Sequence, residues 1–524
     1  MTRKTERGAR PESDSATTPE AGIDRRSFFG MTAAGAAAVG ALATGTQAEA
    51  GVQFSKERGA FGGGGAMTGG ASRSENELYD CEVDGTLPAD LDGVFYRVGP
   101  DPQYPKEKPS IAFDGEGHIG MFRIKNGHVD YKSRYARNQR WKAQHAARRA
   151  LFGTYRNPFT NDPSVKDISG GTANTQIAYH HNLLFALKED SPPVAMNPLT
   201  LETVDDYYTF KGGMKGKTFT AHPKVDYATG EMICFGYEAK GLLTKDIEVF
   251  SANRQGRVVW QAFIQAPYVS MIHDFAVTDR HIAFLAIPLN TSMDFLRSGG
   301  PHWFYDGETS SMLGIMRRGG DGKDIRWFKG PNWMATHTMG AWSDGEKVYV
   351  DMDGAFGNQF PFFPNVHGAF DPAKSAGRIT RMSVDLNDKG ADTYKYEVMY
   401  PQITGSLARQ DERYVAKPYR IGFLNGQGRW HKVDHQTGQT SAFVGGPNTS
   451  LAEMSFVPRN KNAPEGDGYL IGVATRTNEN GRSDLVIVDT QHLDAGPVAT
   501  VHLPYRLPGQ VHGFWVPGDQ LPKA

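Results

Sequence analysis

The chain carries a long succession of short apolar or alternating runs, each the length of a β-strand. Turn dipeptides such as Asn126-Gly127, Asp344-Gly345 and Asn480-Gly481 separate them. The clearest runs are His181–Leu187, Glu231–Tyr237, Arg257–Gln265, His281–Pro288, Lys347–Met352, Arg378–Leu386, Tyr394–Tyr400, Tyr469–Ala474 and Asp484–Val488. Strands at this spacing indicate a sandwich, a barrel or a propeller.

The length of the strand-rich region decides among these architectures. The pattern continues from about Tyr79 to the end of a chain of 524 residues, which is too long for one sandwich. A propeller accommodates this length, because blades are added around one axis without leaving long exposed sheet edges. No repeat period is visible, so this prediction depends on strand spacing and length alone. We predict an all-β propeller.

One segment interrupts the strand pattern. The run Lys142–Phe152 is rich in Ala, Arg and Leu and favours a helix that ends at Gly153, and Pro158 blocks further helix. Long connections in β-folds often build a cover over a site. We therefore predict that residues 100–175 contribute to a loop and short-helix cap.

Residues 1–50 have the features of an export signal. Arg25-Arg26 precedes a short run rich in Ala and Gly, and Ala48-Glu49-Ala50 offers a small-residue cleavage site. The twin arginine predicts the Tat translocase as export partner and a periplasmic or secreted location. A membrane anchor is the alternative, but the run is short and weakly apolar, so we expect no stable membrane span in the mature protein.

Residues 51–76 are predicted to be a flexible linker, because the run Gly62–Gly65 lacks the strand and the Gly-Lys-Ser/Thr ending of a phosphate loop. The folded body is assigned to residues 77–524. A net charge of −1 argues against a nucleic-acid partner. Cys81 and Cys234 lie far apart in sequence, and two free buried cysteines are favoured over a disulfide.

Four histidines lie among small or apolar neighbours in four separate contexts: His222, His273, His337 and His512. No two are close in sequence, so they match neither the zinc-protease nor the facial-triad motif, and only a large closed fold could bring them together. A buried neutral imidazole needs a partner for each ring nitrogen, which a metal and an outer carboxylate would supply. They are candidate metal ligands, with isolated buried histidines as the alternative.

Three glutamates are candidates for the outer carboxylates: Glu189, Glu412 and Glu453. Glu453 is the strongest of them, because a lone carboxylate between apolar residues is costly unless it is bonded. Glu412 lies beside Arg413, so a surface ion pair is its alternative.

Several segments in order match one family: Gly93–Pro100, Phe113–Gly117, Leu151–Pro158, Gly171–Thr175, Leu187–Pro192 and the four histidine contexts. With these segments the chain resembles the carotenoid cleavage oxygenases, and among them the stilbene-cleaving branch. The resemblance implies a seven-bladed β-propeller with a non-haem Fe(II) on its axis. Carried to this sequence, the implied iron ligands are His222, His273, His337 and His512, and the implied outer glutamates are Glu189, Glu412 and Glu453.

The resemblance also implies a clamp for a substrate phenol at Tyr155 and Lys188. A Lys ammonium stabilises a phenolate and a Tyr hydroxyl donates to it, which activates the conjugated double bond. Without the resemblance, a turn-packing Tyr and a solvated Lys would be the ordinary interpretations. Phe113 matches a pocket aromatic, and Phe363 is a second candidate wall residue, with core packing or a membrane-touching patch as its alternatives.

The sequence thus predicts an Fe(II) dioxygenase that splits the central double bond of 4-hydroxystilbenoids, with O2 and a small aromatic substrate as partners. An apocarotenoid oxygenase with the same iron site is the nearest alternative. An exported propeller that only binds a ligand is a second. A zinc or calcium hydrolase is a third, although Asp114–Gly117 has too few oxygen ligands for a calcium loop. A homodimer is retained as one option for assembly.

Overall fold

The computed structural model describes residues 71–106, 111 and 113–523. The predicted export signal at residues 1–50 and the linker up to residue 70 lie outside the described residues. Residues 71–76, which the sequence assigned to the linker, pack on the folded body. Ala71 is buried, and the N–H groups of Ser72 and Arg73 donate to the carboxylate of Asp101. The ordered body therefore extends N-terminally of residue 77.

The strands in the first half of the chain are β1 (Glu77–Leu78), β2 (Val83–Gly85), β3 (Gly93–Asp101), β4 (Glu116–Lys125), β5 (His128–Tyr135), β6 (Gln176–His180), β7 (Leu183–Leu187), β8 (Val194–Met196), β9 (Thr203–Asp205), β10 (Lys224–Asp226), β11 (Glu231–Tyr237), β12 (Asp246–Ala252) and β13 (Val258–Gln265). The strands that follow are β14 (Phe275–Val277), β15 (His281–Ala286), β16 (Leu289–Asn290), β17 (Phe304–Tyr305), β18 (Met312–Arg317), β19 (Arg326–Lys329), β20 (Met334–Asp344), β21 (Lys347–Ala355), β22 (Arg378–Asp385) and β23 (Lys395–Val398). The last strands are β24 (Ser406–Gln410), β25 (Ile421–Gly426), β26 (Arg429–Asp434), β27 (Thr440–Val444), β28 (Thr449–Pro458), β29 (Gly468–Arg476), β30 (Arg482–Asp489), β31 (Pro497–His502) and β32 (His512–Pro517).

Helices are few among the described residues. The α-helices are α1 (Gln139–Ala147), α2 (Met293–Arg297) and α3 (Pro372–Ser375). Short 3-10 turns lie at Pro158–Thr160, Pro163–Val165, Glu412–Tyr414, Leu493–Ala495 and Gly518–Gln520.

The strands form seven antiparallel sheets of four or five strands, with β16 and β17 as a separate ribbon. In sheet order the seven are β1-β5-β4-β3-β32, β6-β7-β8-β9, β10-β11-β12-β13, β14-β15-β18-β19, β20-β21-β22-β23, β24-β25-β26-β27 and β28-β29-β30-β31-β2. This is a seven-bladed β-propeller, which confirms the predicted fold class. Each of the nine runs named from sequence coincides with one strand, with ends shifted by a few residues.

Two blades contain strands from distant parts of the chain. β32 pairs with β3, as in Val98 opposite His512, and β2 pairs with β31, as in Val83 opposite Val501. The early strand β2 thus completes the last blade, while the late strand β32 completes the first. These hydrogen bonds join the two ends of the folded body and close the ring.

The predicted helix is present but shorter than expected. α1 begins after Asn138, whose side chain accepts from the N–H of Trp141, and it ends at Ala147. Arg148 adopts a left-handed φ of 53°, which stops the helix five residues before the predicted end at Phe152. Within the part of the chain that the structure describes, no helix is both long and apolar enough to cross a membrane. Cys81 and Cys234 are buried and free, as predicted.

Candidate metal centre

The four singled-out histidines meet on the propeller axis. His222 and His273 each lie two residues before a blade's end strand (β10 and β14), His337 lies early in β20, and His512 begins β32. Each of these strands is at one end of its sheet, and β14, β20 and β32 contact neighbouring blades. The blades therefore deliver one imidazole each from four widely separated chain segments.

The imidazole rings are buried and close together. One ligand nitrogen from each ring lies within 4.8 Å of the others. The Nε2 atom of His273 is 3.3 Å from that of His222 and 3.2 Å from that of His337. Neighbouring rings are nearly perpendicular, as in the 90° angle between His222 and His512.

Two of the predicted outer glutamates hold imidazoles. Glu189 Oε1 lies 2.5 Å from Nδ1 of His273, and Glu453 Oε1 lies 3.0 Å from Nδ1 of His512. Glu453 also accepts from the N–H of Gly513, next to the histidine it orients. A carboxylate at Nδ1 fixes the orientation of the ring and its tautomer, so that the unprotonated Nε2 can bind a metal ion.

The electrostatics keep the imidazoles of His222 and His512 neutral and the carboxylate of Glu453 charged. Burial lowers the pKa of His512 to about 4 although Glu453 opposes this, and burial with three neighbouring imidazoles places the pKa of His222 well below its usual value. Burial alone would raise the pKa of Glu453, but Arg409 and His512 more than offset it and lower the pKa to about 2. The rings of His222 and His512 are therefore available as ligands at neutral pH.

The donor set fits a metal ion. The Nδ1 atoms of His273 and His337 each face a carboxylate, so their Nε2 atoms, which are 3.2 Å apart, present lone pairs. Lone pairs about 3 Å apart repel unless a cation lies between them, and adjacent imidazoles bound at about 2.1 Å to one ion would have this separation. Imidazole nitrogens suit iron, zinc, copper and nickel. The geometry therefore indicates a metal centre without fixing which metal.

The third outer carboxylate is Asp353, not Glu412 as the sequence suggested. Asp353 Oδ2 lies 3.2 Å from Nδ1 of His337, and Thr336 Oγ1 and Ser406 Oγ lie 3.0 and 3.3 Å from the same nitrogen. Among the described residues, Glu412 has no hydrogen bond to any of the four imidazoles and only an ion pair with Arg409 at 3.9 Å. The prediction that Glu412 supports one of the four imidazoles is therefore wrong, and Asp353 has that position.

A β-bulge explains why Asp353 reaches His337. The register between β20 and β21 shifts between Ala335 and Thr338. The N–H groups of Thr336 and His337 leave the strand ladder and donate to Asp353 Oδ1 at 3.0 and 2.7 Å. Asp353 thus holds both the backbone and the ring of His337. Sequence reasoning missed it, although Asp351 and Asp353 two residues apart in an otherwise buried strand were a usable signal.

Glu412 lies instead in a polar passage that leads to the imidazoles, here called the axial channel. Three of the four imidazoles line the channel, those of His222, His337 and His512. Each blade also contributes at least one lining residue; these include Gln176, Lys224, Val277, Thr338, Gln410, Glu453 and Phe514. The channel encloses about 870 Å³, including its opening to solvent. Partial removal from water raises the pKa of Glu412, against the opposing charges of Arg409 and Lys224.

The predicted phenol clamp lies beside His273. Lys188 is buried, with Nζ 5.3 Å from the Tyr155 ring centroid and 4.8 Å from that of Phe113. The same Nζ is 3.5 Å from Glu189 Oε2, on the carboxylate that holds His273. Burial and the charge of Glu189 raise the pKa of Tyr155 well above its usual value, so its hydroxyl stays a donor. A contact chain therefore connects the clamp to a metal-facing imidazole.

Four phenylalanines, here called the aromatic wall, surround this clamp: Phe113, Phe360, Phe362 and Phe363. Phe113 meets Phe362 edge-on at 4.8 Å, and Phe363 lies 5.9 Å from Tyr155. Phe360, which the sequence did not single out individually, is 5.3 Å from the His273 ring. The wall gives this side of the centre an apolar surface against which the Lys188 ammonium lies.

A buried charge network lies behind Tyr155. The backbone N–H of His302 donates to the Tyr155 carbonyl at 3.0 Å, and the ring Nε2 of His302 lies 2.9 Å from Glu238. Arg156 donates to the same carboxylate oxygen at 2.9 Å and to Tyr237 at 3.1 Å. Sequence analysis missed this network, because its members come from three separated segments. It holds the backbone of Tyr155 in place.

Comparisons with known proteins agree with this architecture. The family model for Retinal pigment epithelial membrane protein matches residues 70–517. Lignostilbene-alpha,beta-dioxygenase isozyme III of Sphingomonas paucimobilis is 39% identical over 86% of this chain and 96% of its own length. Isoeugenol monooxygenase of Pseudomonas putida is also 39% identical, over 85% and 96%. The crystal structure of Pseudomonas brassicacearum lignostilbene dioxygenase is similar with a TM-score of 0.82 at 37% identity, covering 86% and 97%.

Proposed function

The chain belongs to the carotenoid cleavage oxygenase family, which includes Retinal pigment epithelial membrane protein. We propose that it is a non-haem Fe(II) dioxygenase that acts on 4-hydroxystilbenoids. It would cleave the central C=C bond with O2 and yield two aromatic aldehydes. The relatives named as lignostilbene dioxygenases support the substrate class. The observation that carries the proposal is the buried Lys188 beside Tyr155, in an aromatic surrounding and one contact from the Glu189–His273 pair.

Each residue of the clamp has a distinct task. The Lys188 ammonium stabilises negative charge on the substrate phenol oxygen, and the Tyr155 hydroxyl donates a hydrogen bond to the same oxygen. Electron density released by the phenol then reaches the conjugated double bond. The aromatic wall packs against the rings and excludes water, which strengthens both polar contacts.

The Fe(II) would be held by the four imidazoles of His222, His273, His337 and His512. Three carboxylates would fix the tautomers of three of these rings: Glu189 that of His273, Glu453 that of His512 and Asp353 that of His337. The bound iron would supply the binding and activation of O2. The balance is simple: one C=C bond and one O2 molecule give two C=O groups, so no external reductant is consumed.

The clamp argues against the apocarotenoid alternative. A polyene has no phenol to pair with a buried ammonium. With such a substrate bound, the Lys188 ammonium would remain between the rings of Phe113 and Tyr155 without a substrate anion to stabilise. A propenylphenol of the isoeugenol type does carry a phenol, and a relative of equal identity is named for it. It is therefore the second substrate to test.

The test is product analysis by mass spectrometry after incubation of the Fe(II)-loaded protein in air with four substrates. These are a 4-hydroxystilbene, its 4-methoxy ether, isoeugenol and an apocarotenal. We expect aldehydes from the hydroxystilbene and none from the ether, which has the same shape but no acidic phenol. Cleavage of the apocarotenal alone would refute the proposal, and faster cleavage of isoeugenol would transfer it to propenylphenols.

Variants of the clamp make this test specific. Lys188→Met and Tyr155→Phe are expected to lower kcat/KM for the hydroxystilbene by about 10²- to 10³-fold. Bound metal should remain at the wild-type level, because neither residue is a ligand. Lys240→Met, at an exposed lysine over another phenylalanine, is the matched control and should leave turnover unchanged. Full activity in both clamp variants would contradict the assigned roles.

We further propose that the protein is exported by the Tat translocase to the periplasm or beyond, on the basis of Arg25-Arg26 and the Ala-rich run that follows. Arg25→Lys with Arg26→Lys should keep the protein in the cytoplasm, as seen by cell fractionation. A homodimer remains a prediction, to be measured by light scattering.

A further inference from the structure

The axial channel is chemically unlike the aromatic wall, although both reach the metal centre. His222, His337 and His512 line the channel, while His273 lies against Phe360 of the wall. A hydrated dication carries tightly held water and cannot cross a surface of phenylalanine rings without losing it. The polar channel is therefore the better route for an ion.

The charged residues described along the channel leave one carboxylate in excess. Lys224 pairs with Asp274 at 2.7 Å, and Arg409 pairs with Glu453 at 2.9 Å. Within the described residues, the single ion pair of Glu412 is the 3.9 Å contact with Arg409. These two cations and three anions give a net charge of −1. The lining thus attracts cations, and the excess charge is on Glu412.

Exposure orders these groups along the channel. The side chain of Glu412 is 39% exposed, that of Lys224 17%, that of Arg409 11% and that of Glu453 2%. Glu412 is therefore nearest the mouth, and Glu453 is beside the imidazoles. The excess charge lies where an ion from solvent would arrive first.

A second oxygen lies deeper in the lining. Gln410 is 8% exposed, and its Oε1 atom accepts no hydrogen bond from any described residue. An unsatisfied buried amide oxygen costs free energy, and a passing cation or water molecule would satisfy it. Gln410 and Glu412 thus provide two oxygen atoms at successive depths before the imidazole nitrogens.

We propose that the axial channel is the route by which the metal ion enters and leaves the centre, with Glu412 attracting the ion at the mouth and Gln410 replacing part of its water shell further in. This inference rests on the proposed metal centre, but not on the substrate. Both residues act on the path and not on the bound ion. Their removal should therefore slow entry and exit alike and leave the equilibrium affinity unchanged.

The experiment measures Co²⁺ uptake by the full metal-stripped chain in stopped flow, followed through the visible absorption of the imidazole-bound ion. Release is measured separately with a strong chelator. Glu412→Gln should slow uptake by about three- to tenfold at low salt and slow release by the same factor. The salt dependence of uptake should also weaken. Gln410→Leu should slow both rates with little change in salt dependence.

Glu397→Gln is the matched control, because Glu397 is an exposed glutamate on the outer strand β23. Its rates should equal those of the wild type. Unchanged uptake in Glu412→Gln would overturn the proposal. Weaker equilibrium affinity with unchanged release would overturn it too, and would make Glu412 an outer support of the ligands. A wild-type chain that takes up no dication would refute the metal centre itself, whereas stilbene inactivity with normal uptake would refute only the substrate assignment.

Discussion

The aromatic wall and the axial channel reach the same cluster of four imidazoles from different sides and differ in their chemistry. At the wall, the Lys188 ammonium lies over the Phe113 ring and 3.5 Å from Glu189. Along the channel, five charged side chains line the passage, together with residues from all seven blades. The wall suits a flat organic substrate with one acidic group, and the channel suits small hydrated species.

The difference teaches how a propeller separates reactants. Because the blades converge on one axis, residues of their inner strands meet around the four imidazoles, and loops that join the strands cover one side. Phe113 and Tyr155 come from the connection at residues 100–175, whereas Gln410 and Glu453 come from innermost strands. Substrate contacts can therefore change without changing the metal ligands.

Loss of a ligand should disable both regions at once. His222→Ala removes one of four donors and leaves a cavity among the remaining imidazoles. We expect metal content, measured by plasma mass spectrometry, to fall to background and stilbene cleavage to disappear. His281→Ala is the control that should keep its metal, because this buried histidine of β15 contacts Ser343 and is not one of the four.

Acid should weaken the support behind the wall. Burial would raise the pKa of Glu238, but His302 and Arg156 more than offset it and lower the pKa to about 2. A carboxylate with a depressed folded-state pKa stabilises the fold above its unfolded value of about 4.5, and this stability is lost as the pH falls toward 2. The total is roughly 3 kcal/mol.

The measurement compares urea unfolding of the wild type and Glu238→Gln from pH 7 to pH 3. The difference in unfolding free energy should narrow as the pH falls below about 4.5, because only the wild type loses this contribution. A difference that stays constant over this range would contradict the depressed pKa of Glu238.

Removing the outer carboxylate of His337 should weaken metal binding without touching the wall. Asp353→Asn keeps the size but loses the charge that orients the ring and holds the bulge. We expect metal affinity to fall by about 10- to 100-fold in a competition titration. Asp351→Asn is the control on the same strand, where Asp351 pairs with Arg381 and makes no hydrogen bond to any of the four described imidazoles. We expect this control to lower stability and to bind metal normally.

The smallest effect is expected from the wall itself. Phe363→Leu removes ring area beside Tyr155, worth about 1 kcal/mol, so KM for the hydroxystilbene should rise roughly fivefold. Metal affinity and the rate of metal uptake should be unchanged. A slower uptake in this variant would show that the two regions are not independent.

The sequence predicted the parts of this molecule that depend on local pattern. Short alternating runs indicated the strands, and small or apolar neighbours were enough to mark His222, His273, His337 and His512 as candidate ligands. Glu453 was recognised because an isolated carboxylate in an apolar strand needs a partner. The clamp at Tyr155 and Lys188 came only from resemblance, and the structure brings the two side chains together.

The contacts that could not be predicted from the sequence depend on strand register and on contacts between distant segments of the chain. Asp353 reaches His337 only because a bulge shifts β20 against β21, and no local pattern specifies that shift. Glu412 is close in sequence to residues of the centre, yet the 3-10 turn Glu412–Tyr414 directs it to the channel mouth. The network of Arg156, Glu238 and His302 likewise exists only after folding.

The seam between β3 and β32 has a consequence for biosynthesis. His512 is the first residue of β32, the strand that closes the ring. The blade that contains His337 and the two blades after it are synthesised before β32. The quartet therefore cannot form until the chain has been synthesised through His512, and a shorter nascent chain lacks one of the four imidazoles. The centre therefore matures only after all seven blades have been synthesised. A truncation that removes β32 would delete both the strand that closes the ring and one of the four candidate ligands.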